Sequence, residues 1–176
     1  MPLYFAYGSN MDVEAMAQRC PRSKPLGPAR LARHRFFIME SGWASVLADL
    51  RRDVHGVLWD LALSDVRVLD AYEEIRTGLY KKIMQPVLRG GGSSARALVY
   101  VGGSARAGAA QPGYMEQVIA AARAWSLPDT YLRDLQAFSP TGLRGSEPQT
   151  WVAPDGSAQS VKVRPRFASP LDKGRA

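Results

Sequence analysis

The chain predicts an α+β fold, with strands gathered in its first hundred residues and two helices after them. Three observations carry that expectation. Aromatic and β-branched runs recur between residues 3 and 101, separated by Gly, Pro and charged clusters. Two stretches with helical spacing follow Pro112. There is no internal repeat and no steady strand–helix alternation, which argues against a doubly wound α/β sheet. With 176 residues, 46% hydrophobic and 22% charged, the chain suits one domain with a real core and is too short for two ordinary ones.

Leu3 to Tyr7 opens as an aromatic strand and runs into Gly8-Ser9-Asn10. Gly8 lets the backbone bend close to a ligand, and Ser9 and Asn10 are suited to cap the short helix expected over 11–19. N–H groups at such a helix start suit a carboxylate or phosphate. Pro21, Pro25, Gly27 and Pro28 predict a loop, followed by a strand from Arg30 to Met39. Ser45–Leu50 and Val54–Leu61 are expected as two strands of a hairpin turning at Arg51-Arg52-Asp53. Ser64 is the expected N-cap of a helix reaching Tyr72, with Val66, Leu69 and Tyr72 on one face.

Tyr80–Leu88 and Ala95–Val101 flank Gly90-Gly91-Gly92-Ser93-Ser94, a hairpin turn rather than a phosphate loop, because no Gly-Lys-Ser/Thr follows. Pro112 sits at a helix start, and Tyr114, Val118, Ile119, Ala122 and Trp125 form an apolar face. Ser126-Leu127-Pro128 breaks that helix before a second one from Asp129 to Phe138. The expected domain covers 1–140. Residues 141–176 are rich in Pro, Gly, Ser and Arg and read as an extension with one hairpin around Pro154-Asp155-Gly156.

The net charge of +7, from 23 basic and 16 acidic residues, permits nucleic-acid binding without requiring it. From Ser139 onward six basic residues face three acidic ones, so that segment supplies +3 of the total. The paired helices after Pro112 superficially resemble a helix-turn-helix, yet the second carries Arg133 against Asp129 and Asp134. A recognition helix presents several groups to phosphates and bases, so nucleic-acid binding is not expected, and the positive charge reads as attraction for anionic metabolites or as simple solubility. The opening Met-Pro-Leu-Tyr has no basic stretch leading into an apolar run, and no segment is apolar enough to span a bilayer. The expectation is a cytoplasmic protein without nucleic-acid or membrane partners, a homodimer remaining open.

A single cysteine, Cys20, excludes an internal disulfide and a cysteine-built metal site. His34 and His55 lie in strand-like segments without ligand partners at useful spacing. No nucleophile elbow or dinucleotide fingerprint occurs. No metal or organic cofactor is expected, and catalysis would rest on carboxylates, hydroxyls and backbone amides. The best carboxylates are Glu73 and Glu74, at the end of the helix carrying Leu69 and Tyr72. The macrodipole disfavours charge there, and partial burial would raise a pKa toward neutrality, as a proton shuttle requires. The residues alone favour a solvated acidic helix end over a proton shuttle.

Leu3-Tyr4-Phe5-Ala6-Tyr7-Gly8-Ser9-Asn10, followed by Leu69-Asp70-Ala71-Tyr72-Glu73 and Gly78-Leu79-Tyr80, resembles the gamma-glutamylcyclotransferase family. The likeness extends through Val57-Leu58-Trp59, Ala97-Leu98-Val99-Tyr100 and Gln111-Pro112-Gly113-Tyr114 to Phe138. The resemblance implies a curved or barrel-like mixed sheet surrounded by helices. It also implies an enzyme that cyclises a γ-glutamyl group to 5-oxoproline and releases an amino acid or amine. By resemblance Glu73 is the acid/base. Tyr4, Phe5, Ala6, Tyr7, Gly8, Ser9 and Asn10 line the substrate site, with Tyr114 as a further contact and Tyr80 and Tyr100 as walls. Glu74 stands where glycine commonly follows the catalytic glutamate; its carboxylate is expected to shift the pKa of Glu73 or alter the turn. A relative acting on γ-glutamylamines or a natural-product γ-glutamyl group, and a non-catalytic small-ligand binder, are the alternatives.

Overall fold

The computed structural model describes residues 1–139. Its centre is a closed five-stranded barrel with strand order β1-β3-β2-β4-β5. The strands are β1 (Leu3–Ala6), β2 (Lys24–Ile38), β3 (Ala44–Asp60), β4 (Tyr80–Arg89) and β5 (Ser94–Gly102). Neighbours pair antiparallel except at the seam, where β1 meets β5 parallel with Tyr4 opposite Leu98. Closure leaves no free edge strand to protect, and the mixed sheet agrees with the expected curved architecture. Around it stand α1 (Val13–Arg19), α2 (Leu63–Tyr72), α3 (Tyr114–Ala124) and α4 (Asp129–Gln136). The expected extension over 141–176 and its turn at Pro154-Asp155-Gly156 lie outside the described residues.

Several elements differ from the sequence expectation for physical reasons. The proline-rich stretch is not a loop throughout: β2 begins at Lys24, and a register irregularity between Pro25 and Gly27 accommodates the prolines. The two strands expected at 45–61 are one 17-residue strand, β3, that continues through Arg51-Arg52-Asp53. Ala32 pairs with Asp53 and His34 with Ala48, so Asp49 to Arg52 stand opposite Arg33 alone, which takes φ 59°. The charged run therefore forms a projection on a continuous strand rather than a hairpin turn. Ser64 is not the cap of α2; the helix starts at Leu63 after Ala62, and Ser64 donates to Asp65. The Gly-rich hairpin between β4 and β5 and the helix pair α3–α4 fall where the pattern puts them.

One close approach positions the site end of the barrel. A Cβ on Gly56 would stand 2.1 Å from the Ala6 carbonyl oxygen, so only glycine lets β3 lie this near β1. The ring of Phe5 packs over the same glycine and is fully buried. On the other side, α3 inserts Met115, Val118 and Ala122 without exposure into the core. Full burial of side chains the size of Met115 or Val118 contributes about 1.5–3 kcal/mol each. The Trp125 indole, just past α3, donates to the Met11 carbonyl at 2.8 Å. That bond anchors the turn after β1 against the helix pair.

Candidate active site

The turn after β1 is built around a 3-10 segment at Ser9–Met11. Its capping differs from expectation: Asp12, not Ser9 or Asn10, caps α1, its carboxylate accepting from the Ala15 amide at 2.9 Å. The side chains of Ser9 and Asn10 are thereby left to face α2. Ser9 Oγ lies 3.4 Å from the Tyr72 hydroxyl. Asn10 is buried, and its Nδ2 donates to Glu73 Oε1 at 2.8 Å and to the Tyr4 hydroxyl at 3.0 Å.

Glu73 is the residue that closes α2, its amide donating to the Leu69 carbonyl at 2.9 Å. It is 9% exposed, whereas Glu74 beside it is exposed. Burial pushes the Glu73 carboxyl from 4.5 up to about 8, against the lowering pull of Arg19 and of the Asn10 hydrogen bond. The solvated acidic helix end thus describes Glu74 and not Glu73. The raised value has burial as its cause, so the expected influence of the Glu74 carboxylate on it is not what the structure shows. The expected effect on the turn is present. Glu74 adopts left-handed backbone, φ 50° and ψ 44°, a conformation that glycine takes without steric cost.

The tyrosines gather on the same carboxylate. Tyr4, Tyr7, Tyr80, Tyr100 and Tyr114 are all pushed above the usual phenol range, first by desolvation, with the charge of Glu73 adding in each case. They stay protonated as neutral donors. Their hydroxyls are also positioned by the scaffold: Tyr7 donates to the Tyr100 carbonyl, and Tyr80 to the Ala44 carbonyl at 2.7 Å. Tyr114 accepts from the Ala44 amide at 3.4 Å, and its hydroxyl would stand 2.8 Å from a Cβ on Gly8. Asn10, Glu73, Tyr114 and the Gly8 backbone therefore converge despite their separation in sequence.

Phe5 and Ala6 hold a different place. The Phe5 ring is turned onto Gly56, and Ala6 is buried in the β1–β3 ladder, so both support the wall from behind. Arg19, Asp70 and Tyr72, given no site role from sequence, belong to the constellation. Arg19 donates to Asn10 Oδ1 and lies 3.5 Å above the Tyr72 ring. Asp70 accepts from the Tyr100 hydroxyl at 2.6 Å and from Lys82 at 2.7 Å. Tyr100 in turn packs edge-on against Tyr4 at 5.6 Å between ring centroids. Arg19 had one available signal, a lone cation in the last turn of a helix that starts beside the Gly-Ser-Asn turn. Asp70 and Tyr72 were visible only as members of the glutamate motif.

The arrangement is one protonatable carboxylate, held by one amide, within a wall of neutral phenols. Such an arrangement has the groups that general acid/base chemistry needs and no charged nucleophile of its own. Among the described residues no cluster of three His, Cys, Asp or Glu is placed to hold a metal ion. Cys20 is buried against the core, and His34 Nδ1 lies 2.8 Å from its neighbouring Ala32 carbonyl. No helix among the described residues is long and apolar enough to cross a membrane.

Comparison with known proteins agrees with this geometry. Residues 53–135 match the AIG2-like family. A mouse (Mus musculus) protein named gamma-glutamylcyclotransferase is 27% identical over 153 residues, covering 81% of each chain. The human (Homo sapiens) protein of that name matches with the same identity and coverage. A solved structure of a gamma-glutamyl cyclotransferase superposes with a TM-score of 0.73 at 26% identity, over 82% of this chain and 91% of that one. The chain shares the fold of that gamma-glutamyl cyclotransferase and is similar in sequence to proteins of that name. The closed mixed barrel and its surrounding helices are the features it shares with that structure, and relatives bearing the enzyme's name support an enzyme of this class.

Proposed function

We propose that this protein cyclises the γ-glutamyl group of γ-glutamyl amino acids or amines to 5-oxoproline and releases the amino acid or amine, with Glu73 as general acid/base. The observation that carries the reading is the buried Glu73 carboxyl, raised to about 8 and held by Asn10 at 2.8 Å beside the Gly8 turn. The substrate contains its own nucleophile, so the site needs no catalytic serine, cysteine or metal. The α-amine attacks the γ-carbonyl carbon, a C–N bond forms to close the five-membered ring, and the original amide C–N bond breaks. The α-ammonium gives up two protons in becoming the ring amide, and the leaving nitrogen takes up two in becoming an ammonium. Glu73 carries them in turn as base and then acid.

Folding the glutamyl chain against the tyrosine wall supplies proximity, which contributes most to the rate of an intramolecular attack. Backbone N–H groups of the Gly8-Ser9-Asn10 turn hold the substrate carboxylate or the oxyanion. A carboxyl with a value near 8 shares protons readily with an ammonium near neutral pH, which an ordinary glutamate at 4.5 does less well.

The experiment is a panel of γ-glutamyl amino acids, glutathione and γ-glutamyl amines incubated with the full chain, with 5-oxoproline quantified by chromatography. Release of 5-oxoproline that disappears in Glu73→Gln supports the reading. Binding without turnover across the whole panel would instead make the protein a small-ligand binder on the same scaffold.

A further inference from the structure

We infer that Arg19 is a positioning residue that acts through Asn10 to fix which oxygen of Glu73 faces the reacting nitrogen. The inference rests on the proposed acid/base role of Glu73. Arg19 ends α1 and is held in two ways, stacked 3.5 Å above the Tyr72 ring and donating to Asn10 Oδ1. A guanidinium only donates, so Asn10 must turn its oxygen toward α1 and its nitrogen toward α2. The two N–H groups of that nitrogen are then both used, one on Glu73 Oε1 at 2.8 Å and one on the Tyr4 hydroxyl at 3.0 Å. The opposite flip would bring the amide oxygen against the carboxylate.

Arg19 thus decides a two-state choice in a residue that is itself buried. With Oε1 engaged by Asn10, Oε2 is the oxygen left for proton transfer. The groups facing Glu73 are phenols from every side: Tyr4 from β1, Tyr7 from the turn after it, Tyr72 from α2, Tyr80 from β4, Tyr100 from β5 and Tyr114 from α3. These are neutral, and the charge acting on Glu73 comes from Arg19 on α1. The side chain therefore has two separable effects, an orientation imposed on Asn10 and an electrostatic pull on Glu73.

Substitution separates them. Arg19→Met keeps a stem over Tyr72 and removes both donor and charge; Arg19→Lys restores the charge and a single donor but not the planar stack. With γ-glutamyl-L-alanine and 5-oxoproline release followed from pH 6 to 10, Arg19→Met should lower kcat by about 10–100-fold. KM should stay within about threefold, and the pH at which the rate reaches half its maximum should rise. Arg19→Lys should return that pH close to the wild-type value while recovering only part of kcat.

A second readout needs no turnover. The Glu73 carboxyl, followed by carbon-13 NMR and assigned by its loss in Glu73→Gln, should titrate at higher pH in Arg19→Met than in wild type. If the wild-type chain releases no 5-oxoproline from any γ-glutamyl substrate, the proposed function fails, and the NMR titration still judges Arg19. Wild-type titration of Glu73 in Arg19→Met overturns the inference, as does a defect confined to KM. Should Arg19→Met not fold, a wild-type kcat and Glu73 titration in Arg19→Lys would support only the charge and overturn the orienting role.

Discussion

Two charged regions of this barrel treat their ions in opposite ways. At the site end, a carboxylate is buried at the close of α2 and surrounded by phenols. On another part of the barrel, the β3 projection and α4 flank an open groove whose lining includes Leu50, Arg52, His55, Tyr131 and Asp134. There, Arg52 and Asp134 approach to 3.7 Å with more than half of each side chain exposed, and Leu50 is 83% exposed. Water screens the groove charges, so their pairing contributes little to stability. Desolvation at Glu73 has the reverse consequence: the ion is costly to bury, and that cost is what brings its proton affinity into the range where acid/base chemistry operates.

The difference is broken most severely at Glu73. Glutamine there keeps size and hydrogen-bonding reach but cannot accept or return a proton, so 5-oxoproline release should fall about 10²–10⁴-fold with little change in ligand affinity. In the wild type the rate should rise with pH along a limb centred near 8, because the base form is the anion and burial holds the carboxyl at about 8. A limb near 4.5 in a steady-state pH profile would mean that Glu73 is not the base.

A stability measurement reads the same burial without substrate. The folded-state value of Glu73 lies above its unfolded value of 4.5, at about 8. Between these pH values the native state binds more protons than the unfolded one, so this group's contribution is fully present below 4.5 and is lost as pH rises through about 8. Glu73→Gln should therefore resemble wild type in urea unfolding at pH 4. At pH 9 it should be more stable by roughly 2–5 kcal/mol. Equal differences at both pH values would remove burial as the cause of the shift.

Smaller effects sharpen the contrast. Glu74→Gly relieves left-handed backbone and should stabilise the chain by up to about 1 kcal/mol, net of the flexibility glycine adds to the unfolded state. The kcat pH limb should stay in place, because Glu74 is exposed and is not among the causes of the Glu73 shift. Arg52→Ala in the groove should change unfolding free energy by no more than about 0.5 kcal/mol. A larger loss there would show that the projection is more tightly tied to α4 than an exposed ion pair explains.

The sequence was informative where local chemistry and tertiary packing agree. Tyr80–Leu88 and Ala95–Val101 alternate around a glycine-rich turn, and Tyr114 to Ala122 keeps a helical apolar period, so each element could be placed from its own residues. It was misleading at Arg51-Arg52-Asp53, where three charges resemble a turn. The barrel instead lets β3 run on past its partner, with the excess residues projecting into solvent. The prolines before Arg30 concealed the start of β2 in the same way, because a bulge rather than a loop absorbs them. At the site, the two motifs marked the positions of Glu73 and the Gly8 turn. Which glutamate is buried depends on how α2 meets that turn, a relation between residues more than sixty apart, whereas the Asp12 cap of α1 is a local bond to the Ala15 amide. Arg19 and Asp70 act through Asn10 and Tyr100, so their roles have no local pattern to betray them.

The parallel seam between β1 and β5 ties the site to the order in which the chain folds. Tyr4 meets Leu98 there, and the Tyr4 ring then rests on Tyr100, so the contact spans most of the described chain. Hairpins β2–β3 and β4–β5 join residues close in sequence, whereas this seam requires a loop of more than ninety residues to close first. Contacts of such high order carry the largest loop-closure entropy and form slowly. A sheet with an open seam would part Tyr4 on β1 from Tyr100 on β5, two members of the tyrosine wall that carry no sequence proximity of their own. Burial of Glu73 therefore draws on the longest-range strand contact of the barrel as well as on the local close of α2.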